Sequence, residues 1–382
     1  MNEFERQYAE ICDFLRFGDT SLVVKRIIDL TLDTEALSHY KETVDLLQWL
    51  DHHTDASVVN PKLEHRLAAL HATLSKKPLA NNDLLVVAKG LSKSYSGGRF
   101  RLGPIDLQIK QGEIIGLVGE NGNGKTTLLR SLARELVHDG GELVYHFPYT
   151  DGYDLRTQLV YIPQRTDTWY GSMRENLLFT GTLYGYGPEE NEWVVELIVS
   201  RLGLRKFRDH SWKSLSSGYK MRFELARMLL RRPKILLIDE PLANLDILAQ
   251  QTILEDFRSI AKSPFRPIGI VLSSQQLYEV EKTSDQVVFL KNGAQRNLFE
   301  KGSGEAAAPP LAIELESAWT QGQLYDAFAT TIDSIQFNGG TYIVYFKEGT
   351  SVSDVLKVII DQNIPLLYFR DISLSTRRFF AS

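Results

Sequence analysis

The stretch Gly119-Glu120-Asn121-Gly122-Asn123-Gly124-Lys125-Thr126-Thr127 meets every fixed position of the pattern G-x-x-x-x-G-K-[ST]. Its flanks fit as well: the apolar run 113–118 reads as a buried strand, and the spacing at 128–132 reads as a helix. Strand, glycine-rich turn and helix in that order commit this part of the chain to an α/β sheet. The glycines let backbone N–H groups turn toward phosphate oxygens, and the helix N-terminus adds a favourable field. Lys125 reaches the β and γ phosphates in such a loop, and the Thr126 hydroxyl ligates magnesium. The expected cofactors are therefore ATP and Mg2+, held by residues 119–127.

The rest of the chain divides around this loop. From residue 2 to about 77, apolar residues recur at helical spacing, as in Phe4, Tyr8, Ile11 and Leu15, then Val23, Ile27 and Leu30, then Leu37, Tyr40, Val44 and Leu47. Asp19-Thr20 and Asp33-Thr34 read as caps between these helices, and Pro61 as the residue preceding a fourth. This gives a helical N-terminal domain over 1–80. Short apolar runs at 84–88, 105–109, 113–118, 159–162, 235–238, 268–272 and 286–290 read as strands, and the α/β domain spans 84–300. Lys291-Asn292-Gly293 reads as a hairpin turn. Glycines, alanines and Pro309-Pro310 give 301–310 the composition of a linker. A small α+β domain follows over 311–382, with helices at 321–330 and 352–361, a turn at Asn338-Gly339-Gly340 and a strand at 366–369.

Composition excludes several classes. The net charge of −5 argues against a nucleic-acid partner, because polyanion affinity rests on Lys and Arg. Cys12 is the only cysteine, so an intrachain disulfide and a cysteine zinc site are both excluded. The acidic start Met1-Asn2-Glu3-Phe4-Glu5 is unlike a secretory signal, and no stretch reaches the roughly 18 apolar residues of a membrane helix. A cytoplasmic location is expected.

Two further segments carry chemistry. The apolar run 235–238 ends in Asp239-Glu240-Pro241, and ligand sites in open α/β sheets lie beyond the carboxyl ends of strands. Asp239 is placed to orient the magnesium shell and Glu240 to polarise an attacking water. Leu215-Ser216-Ser217-Gly218-Tyr219 precedes a helical run and is by itself either a helix cap or a second anion site.

Together with Tyr161-Ile162-Pro163-Gln164 and Ala243-Asn244-Leu245-Asp246, these segments resemble the ATP-binding-cassette family over about 84–300. The fold implied is a P-loop ABC ATPase domain of α/β class, with the helical bundle and the α+β domain appended. By this resemblance Gln164 senses magnesium and the γ-phosphate. Ser216, Ser217 and Gly218 close over the ATP of a second subunit, which implies a head-to-tail dimer. Asp246 signals between the two sites, and Tyr95 stacks on adenine. Glu240, Gln164, Lys125 and Gln275 form the catalytic set; Thr126, Gln164 and Asp239 hold the metal.

There are departures. Ser217 stands where the family most often has glycine, and Tyr219 where it often has glutamine. The switch histidine is also replaced, since the strand at 268–272 runs into Ser273-Ser274-Gln275 and the last histidine of the chain is His210. Gln275 can donate a hydrogen bond to a γ-phosphate but cannot carry a charge, so slow turnover is expected.

The resemblance implies an ATPase subunit that powers a separately encoded membrane permease, as a homodimer or a heterodimer with another ABC ATPase, peripheral to the cytoplasmic membrane. The C-terminal unit resembles the appendage of exporter-type ATPases, with Arg377 and Arg378 replacing the usual acids in the tail. The alternative is a soluble nucleotide-gated cassette protein with a regulatory role or one associated with nucleic acid or the ribosome.

Overall fold

The computed structural model describes residues 2–95, 100–275, 277–300, 310–338 and 340–373. The stretch 301–309 expected as linker, Gly339 of the expected turn, and the tail from 374 with Arg377 and Arg378 lie outside the described residues. The chain forms two compact units, Met1–Gln275 with Leu290–Gln295, and Gln276–Phe289 with Arg296–Ser382.

The first unit begins with four helices, α1 (Glu3–Arg16), α2 (Thr20–Thr34), α3 (Leu37–Leu50) and α4 (Ala56–Leu74). Their apolar stripes converge on Phe4, Ile11, Ile27, Leu63 and Leu70, all buried. Asp19 caps α2 as expected, accepting from Leu22 N. Asp33 and Thr34 do not cap α3. They end α2, and the buried Asp33 carboxylate instead accepts from Ser263 Oγ and Arg266 Nε. Pro61 does not precede α4 but lies within it, because Asp55 starts the helix five residues earlier by accepting from Ser57 N.

The α/β part contains β1 (Leu84–Ser94), β2 (Arg101–Lys110), β3 (Ile114–Val118), α5 (Lys125–Leu132), β4 (Gly140–Tyr145), α6 (Gly152–Gln158), β5 (Leu159–Ile162), α7 (Met173–Leu183), α8 (Pro188–Arg201), α9 (Ser217–Leu229), β6 (Ile235–Ile238), α10 (Ile247–Ala261) and β7 (Gly269–Ser274). Strands β5, β6, β7 and β3 lie side by side in that order, all parallel. Every residue of β3, β6 and β7 is buried, which explains the unbroken apolar sequence of β3 and β6 and of β7 up to its closing Ser273-Ser274. Separately, β2, β1 and β4 form an antiparallel sheet. The strand β4 escaped sequence reading because its Gly140-Gly141-Glu142 start carries no apolar alternation.

Downstream come α11 (Leu277–Thr283), β8 (Gln286–Lys291), β9 (Ala294–Glu300), β10 (Ala312–Ser317), α12 (Gln321–Ala327), β11 (Ile332–Asn338), β12 (Thr341–Phe346), α13 (Val352–Asp361) and β13 (Leu366–Asp371). In the second unit β11, β12, β10 and β13 form an antiparallel sheet in that order. Ile313, Leu315, Val344 and Phe346 on one face of it pack with Leu324 and Phe328 from the α12 segment and Val355 and Ile359 of α13. Helix α12 stops three residues short of the expected 330, where Phe328 serves as its C-cap and its carbonyl takes the Ile332 N–H.

Candidate functional site

The loop 119–127 bridges the end of β3 and the start of α5. Gly124 adopts φ +98, and a Cβ there would lie 2.9 Å from Leu102 and Phe100. At Gly119 a Cβ would meet the Leu290 carbonyl oxygen at 2.4 Å. Glycine at these two positions therefore answers both to backbone angle and to close approach. Asn123 is buried and its Oδ1 accepts from Asn292 N at 2.9 Å, which anchors the loop to the turn after β8.

Lys125 is almost wholly buried. Its Nζ donates to Gly119 O at 2.6 Å and to Glu120 O at 3.3 Å, so the ammonium is folded back into the loop. It also lies 3.1 Å from Glu240 Oε1. That contact is an ion pair without hydrogen-bond alignment, since Glu240 Oε1 is buried and has no hydrogen-bond partner. Glu240 itself has φ +50, a left-handed conformation uncommon outside glycine, which fixes its carboxylate at the strand end.

Asp239 gathers three donors. Thr126 Oγ1 donates to its Oδ2 at 2.6 Å, Tyr161 OH to Oδ2 at 3.3 Å, and Ser273 Oγ to Oδ1 at 2.6 Å. Ser273 Oγ also accepts from Glu240 N at 2.8 Å, so one hydroxyl holds both acidic positions. Burial first, and then the Asp239 carboxylate, push the Tyr161 phenol up, which keeps it a protonated donor. Sequence reading named neither Ser273 nor Tyr161 as a site residue. The available signal was register: Ile238 pairs with Leu272, so the next residues, Asp239 and Ser273, must be neighbours.

A hydroxyl and a carboxylate in contact at a loop shaped for phosphates are the hard oxygen donors that Mg2+ takes alongside phosphate oxygens and water. Thr126 and Asp239 thus fit a magnesium site. No cluster of three or more His, Cys, Asp or Glu able to hold a metal occurs among the described residues, so phosphate and water would have to supply the other ligands.

Gln164, Ser217 and Glu240 line one small cavity of about 130 Å³. Tyr95 is exposed, and its hydroxyl lies 3.3 Å from Thr127 Oγ1. Gln275 is exposed one residue beyond β7, and the pairing of Val118 with Ser274 puts it across the ladder from Gly119. Ser216 caps α9, and Ser217 Oγ donates to Asn244 O at 2.9 Å. No hydrogen bond or ion pair joins 216–218 to 119–127 among the described residues. Tyr219 packs its ring 3.9 Å from that of Phe207, a structural use for the unusual aromatic. Asp246 caps α10, accepting from Ala249 N.

Residues 102–243 match the family model described as ABC transporter. The chain is 30% identical over 216 residues to the ABC transporter ATP-binding protein NatA of Bacillus subtilis, covering 53% of this chain and 85% of that one. It is also 30% identical over 226 residues to the phosphonates import ATP-binding protein PhnC of Treponema denticola, covering 55% and 87%. Among solved structures it resembles cbiO1 of Clostridium perfringens, part of the ABC transporter complex cbiONQ, with a TM-score of 0.51 at 26% identity over 56% of this chain and 87% of that one. No described helix is long and apolar enough to cross a membrane. With its phosphate loop, its parallel sheet and these relatives, the chain belongs to the ATP-binding-cassette family of ATPases, among the ATP-binding subunits of ABC transporters.

Proposed function

We propose that this chain hydrolyses ATP to drive a separately encoded membrane permease, working as a head-to-tail dimer with Glu240 as the catalytic carboxylate. The observation that carries this is the convergence of Lys125, Thr126, Asp239 and Glu240 beyond the ends of β3 and β6, with Ser273 of the intervening β7 bonded across both acids. Lys125 is held ready by main-chain carbonyls and can exchange them for phosphate oxygens. Glu240 accepts a proton from water beside the γ-phosphate. Magnesium, when bound, draws charge from the phosphates undergoing transfer. Residues 216–218 make no bond to the loop of their own chain, which supports their service to a second copy. Whether that copy is identical or a related ATPase does not alter the chemistry. The domain division 1–80, 84–300 and 311–382 belongs to the same reading.

A permease partner is supported by an exposed apolar surface downstream of Gln164, where Tyr170, Phe179 and Leu183 are 86%, 65% and 66% exposed. Single apolar residues on a surface are ordinary, but three around the start and outer face of one helix suit a docked helix from another chain. Co-purification from detergent-solubilised membranes tests this. Recovery of the chain only from the soluble fraction, free of any membrane protein, counts against transport and for the nucleotide-gated reading.

Two substitutions probe the chemistry. Gln275→His restores a side chain that can carry charge to the position across from Gly119, and steady-state hydrolysis is expected to rise several-fold, on the order of 1 kcal/mol at the transition state. An unchanged rate removes Gln275 as the cause of slow turnover. Ser273→Ala takes a donor from Asp239 and the acceptor from Glu240 N. The Mg2+ concentration for half-maximal hydrolysis is expected to increase about tenfold, as for other residues that orient metal ligands. A curve that overlays wild type shows Asp239 to be held well enough by Thr126 and Tyr161.

A further inference from the structure

Helix α9, which residues 216–218 begin, carries a carboxylate on its inner face. Glu224 is fully buried, and both of its oxygens are engaged. Oε1 accepts from Trp169 Nε1 at 2.9 Å, and Oε2 accepts from Arg227 Nη2 at 2.6 Å. The Arg227 guanidinium also lies 5.1 Å from the Trp169 ring centroid. Burial pushes the Glu224 carboxyl up, with Arg227 and the indole N–H opposing it. A buried pair of this kind adds little stability over apolar packing of the same volume, so cohesion alone does not account for it. What it supplies is direction. A buried indole N–H needs an acceptor, and Glu224 offers one on a rigid helix, so Trp169 is held in one orientation.

Trp169 is gripped from a second side. Its ring stacks on Trp212, with 4.9 Å between centroids and 18° between planes, and packs edge-on against Phe223. Trp212 stands just before 216–218 and Glu224 just after them, so one indole touches both flanks of that segment. The backbone repeats the connection. Ser172 forms a β-bridge with Ser211, Met173 N donates to His210 O at 3.2 Å, and Arg174 N donates to Arg208 O at 2.8 Å. Trp169 belongs to the stretch between Gln164 and α7, and its neighbour Tyr170 is the exposed aromatic of the surface assigned above to a permease.

We infer that Trp169 is a positioning residue for 216–218, latched to them by its hydrogen bond to Glu224 on one side and its stack on Trp212 on the other. It acts on the reaction through where it places Ser216, Ser217 and Gly218, the residues that close on a second copy's ATP in the proposed function, and in that respect it rests on that reading. Because the same indole adjoins Tyr170, the docking surface and 216–218 are one mechanical piece. A chain with this latch open binds ATP at its own loop as before. It presents 216–218 correctly for only part of the time, and the dimer weakens by that fraction.

Hydrogen exchange of the full chain without nucleotide tests the latch apart from any dimer. Trp169→Phe keeps an aromatic ring on Trp212 and deletes the N–H. Peptides covering 168–174 and 208–219 are expected to exchange several-fold faster, with those of β3, β6 and β7 unchanged. Glu224→Leu removes the same bond from the other end, and Arg227, whose side chain is 34% exposed, can turn to water. The same pattern is expected. Exchange as slow as wild type in both variants overturns the latch. The consequence for the reaction is read by sedimentation with Mg2+ and ATP in the Glu240→Gln background, where bound ATP persists. Each variant is expected to weaken the ATP-dependent dimer by at least about tenfold, and the two together by no more than either alone, because the bond is already gone. ATP affinity of the dilute single chain is expected to be unchanged. A general loosening would lower it as well, so equal losses in ATP affinity and dimer strength overturn the positioning role, as does a dimer of wild-type strength. If Glu240→Gln alone forms no ATP-dependent dimer, the head-to-tail reading itself fails and takes the positioning role with it.

Discussion

Glu240→Gln is expected to cut steady-state ATP hydrolysis by ~10²-fold or more, the contribution of a positioned general base, while nucleotide binding is retained. The two side chains have nearly the same shape, so the loop is not asked to repack. What changes is charge. Glu240 Oε1 is buried, lacks a hydrogen bond and faces Lys125 at 3.1 Å, an arrangement with its polar capacity directed at the site rather than at the fold. In the variant Lys125 loses a competing anion and keeps its carbonyl contacts to Gly119 and Glu120, so ATP affinity should be equal or higher. Rapid-quench measurement of phosphate release, paired with filter binding of labelled ATP, separates the two effects. Hydrolysis above about a tenth of the wild-type rate would remove Glu240 from the catalytic role.

Arg201→Ala is expected to cost ~3–5 kcal/mol of stability, the penalty for removing one partner from a buried ion cluster. Arg201, at the end of α8, donates from Nε to Asp29 of α2 and from Nη1 to Asp256 of α10, each at 2.6 Å. Its side chain is 4% exposed and that of Asp256 is 3% exposed. Without the guanidinium the buried Asp256 carboxylate keeps only Arg222 Nη2 at 3.7 Å, and Asp29 only Arg26 Nη1 at 3.7 Å. Urea unfolding followed by tryptophan fluorescence reads the loss. Replacing Arg201, Asp29 and Asp256 together by leucine is expected to recover most of it, because the two most deeply buried charges, Arg201 and Asp256, are then removed together, and Arg26 and Arg222, which remain, are more exposed than either. A single-variant loss under about 1 kcal/mol would mean that water reaches these carboxylates.

The two predictions rest on parts of the chain that differ in how readily sequence discloses them. The loop, the strand ends at Asp239 and Glu240 and most helix positions were legible, because glycine placement, unbroken apolar runs and helical spacing are local signals. Asp33 was misread as a cap because Asp-Thr between two helices is a local cap signal. Its actual partners, Ser263 and Arg266, are more than 200 residues away. Pro61 misled for a related reason: a proline usually opens a helix, but Asp55 had already fixed the first turn. Ser273 and Tyr161 went unassigned because their role comes from strand register across β5, β6 and β7, which no single segment carries.

The separation of residues 216–218 from the loop of their own chain has a kinetic consequence. Ser216 and Ser217 are engaged with Tyr219 N and Asn244 O; in the proposed head-to-tail dimer an isolated chain would hold one half of each of two reaction chambers. If two chains must meet before either chamber is complete, activity per molecule is not a constant of the protein. Dilution should lower specific activity in proportion to concentration below the dimer dissociation constant, and tethering to a shared partner should remove that dependence by raising the effective concentration of one chain around the other. Enzyme-concentration series in free solution and on a membrane would then give curves of different order, second and first.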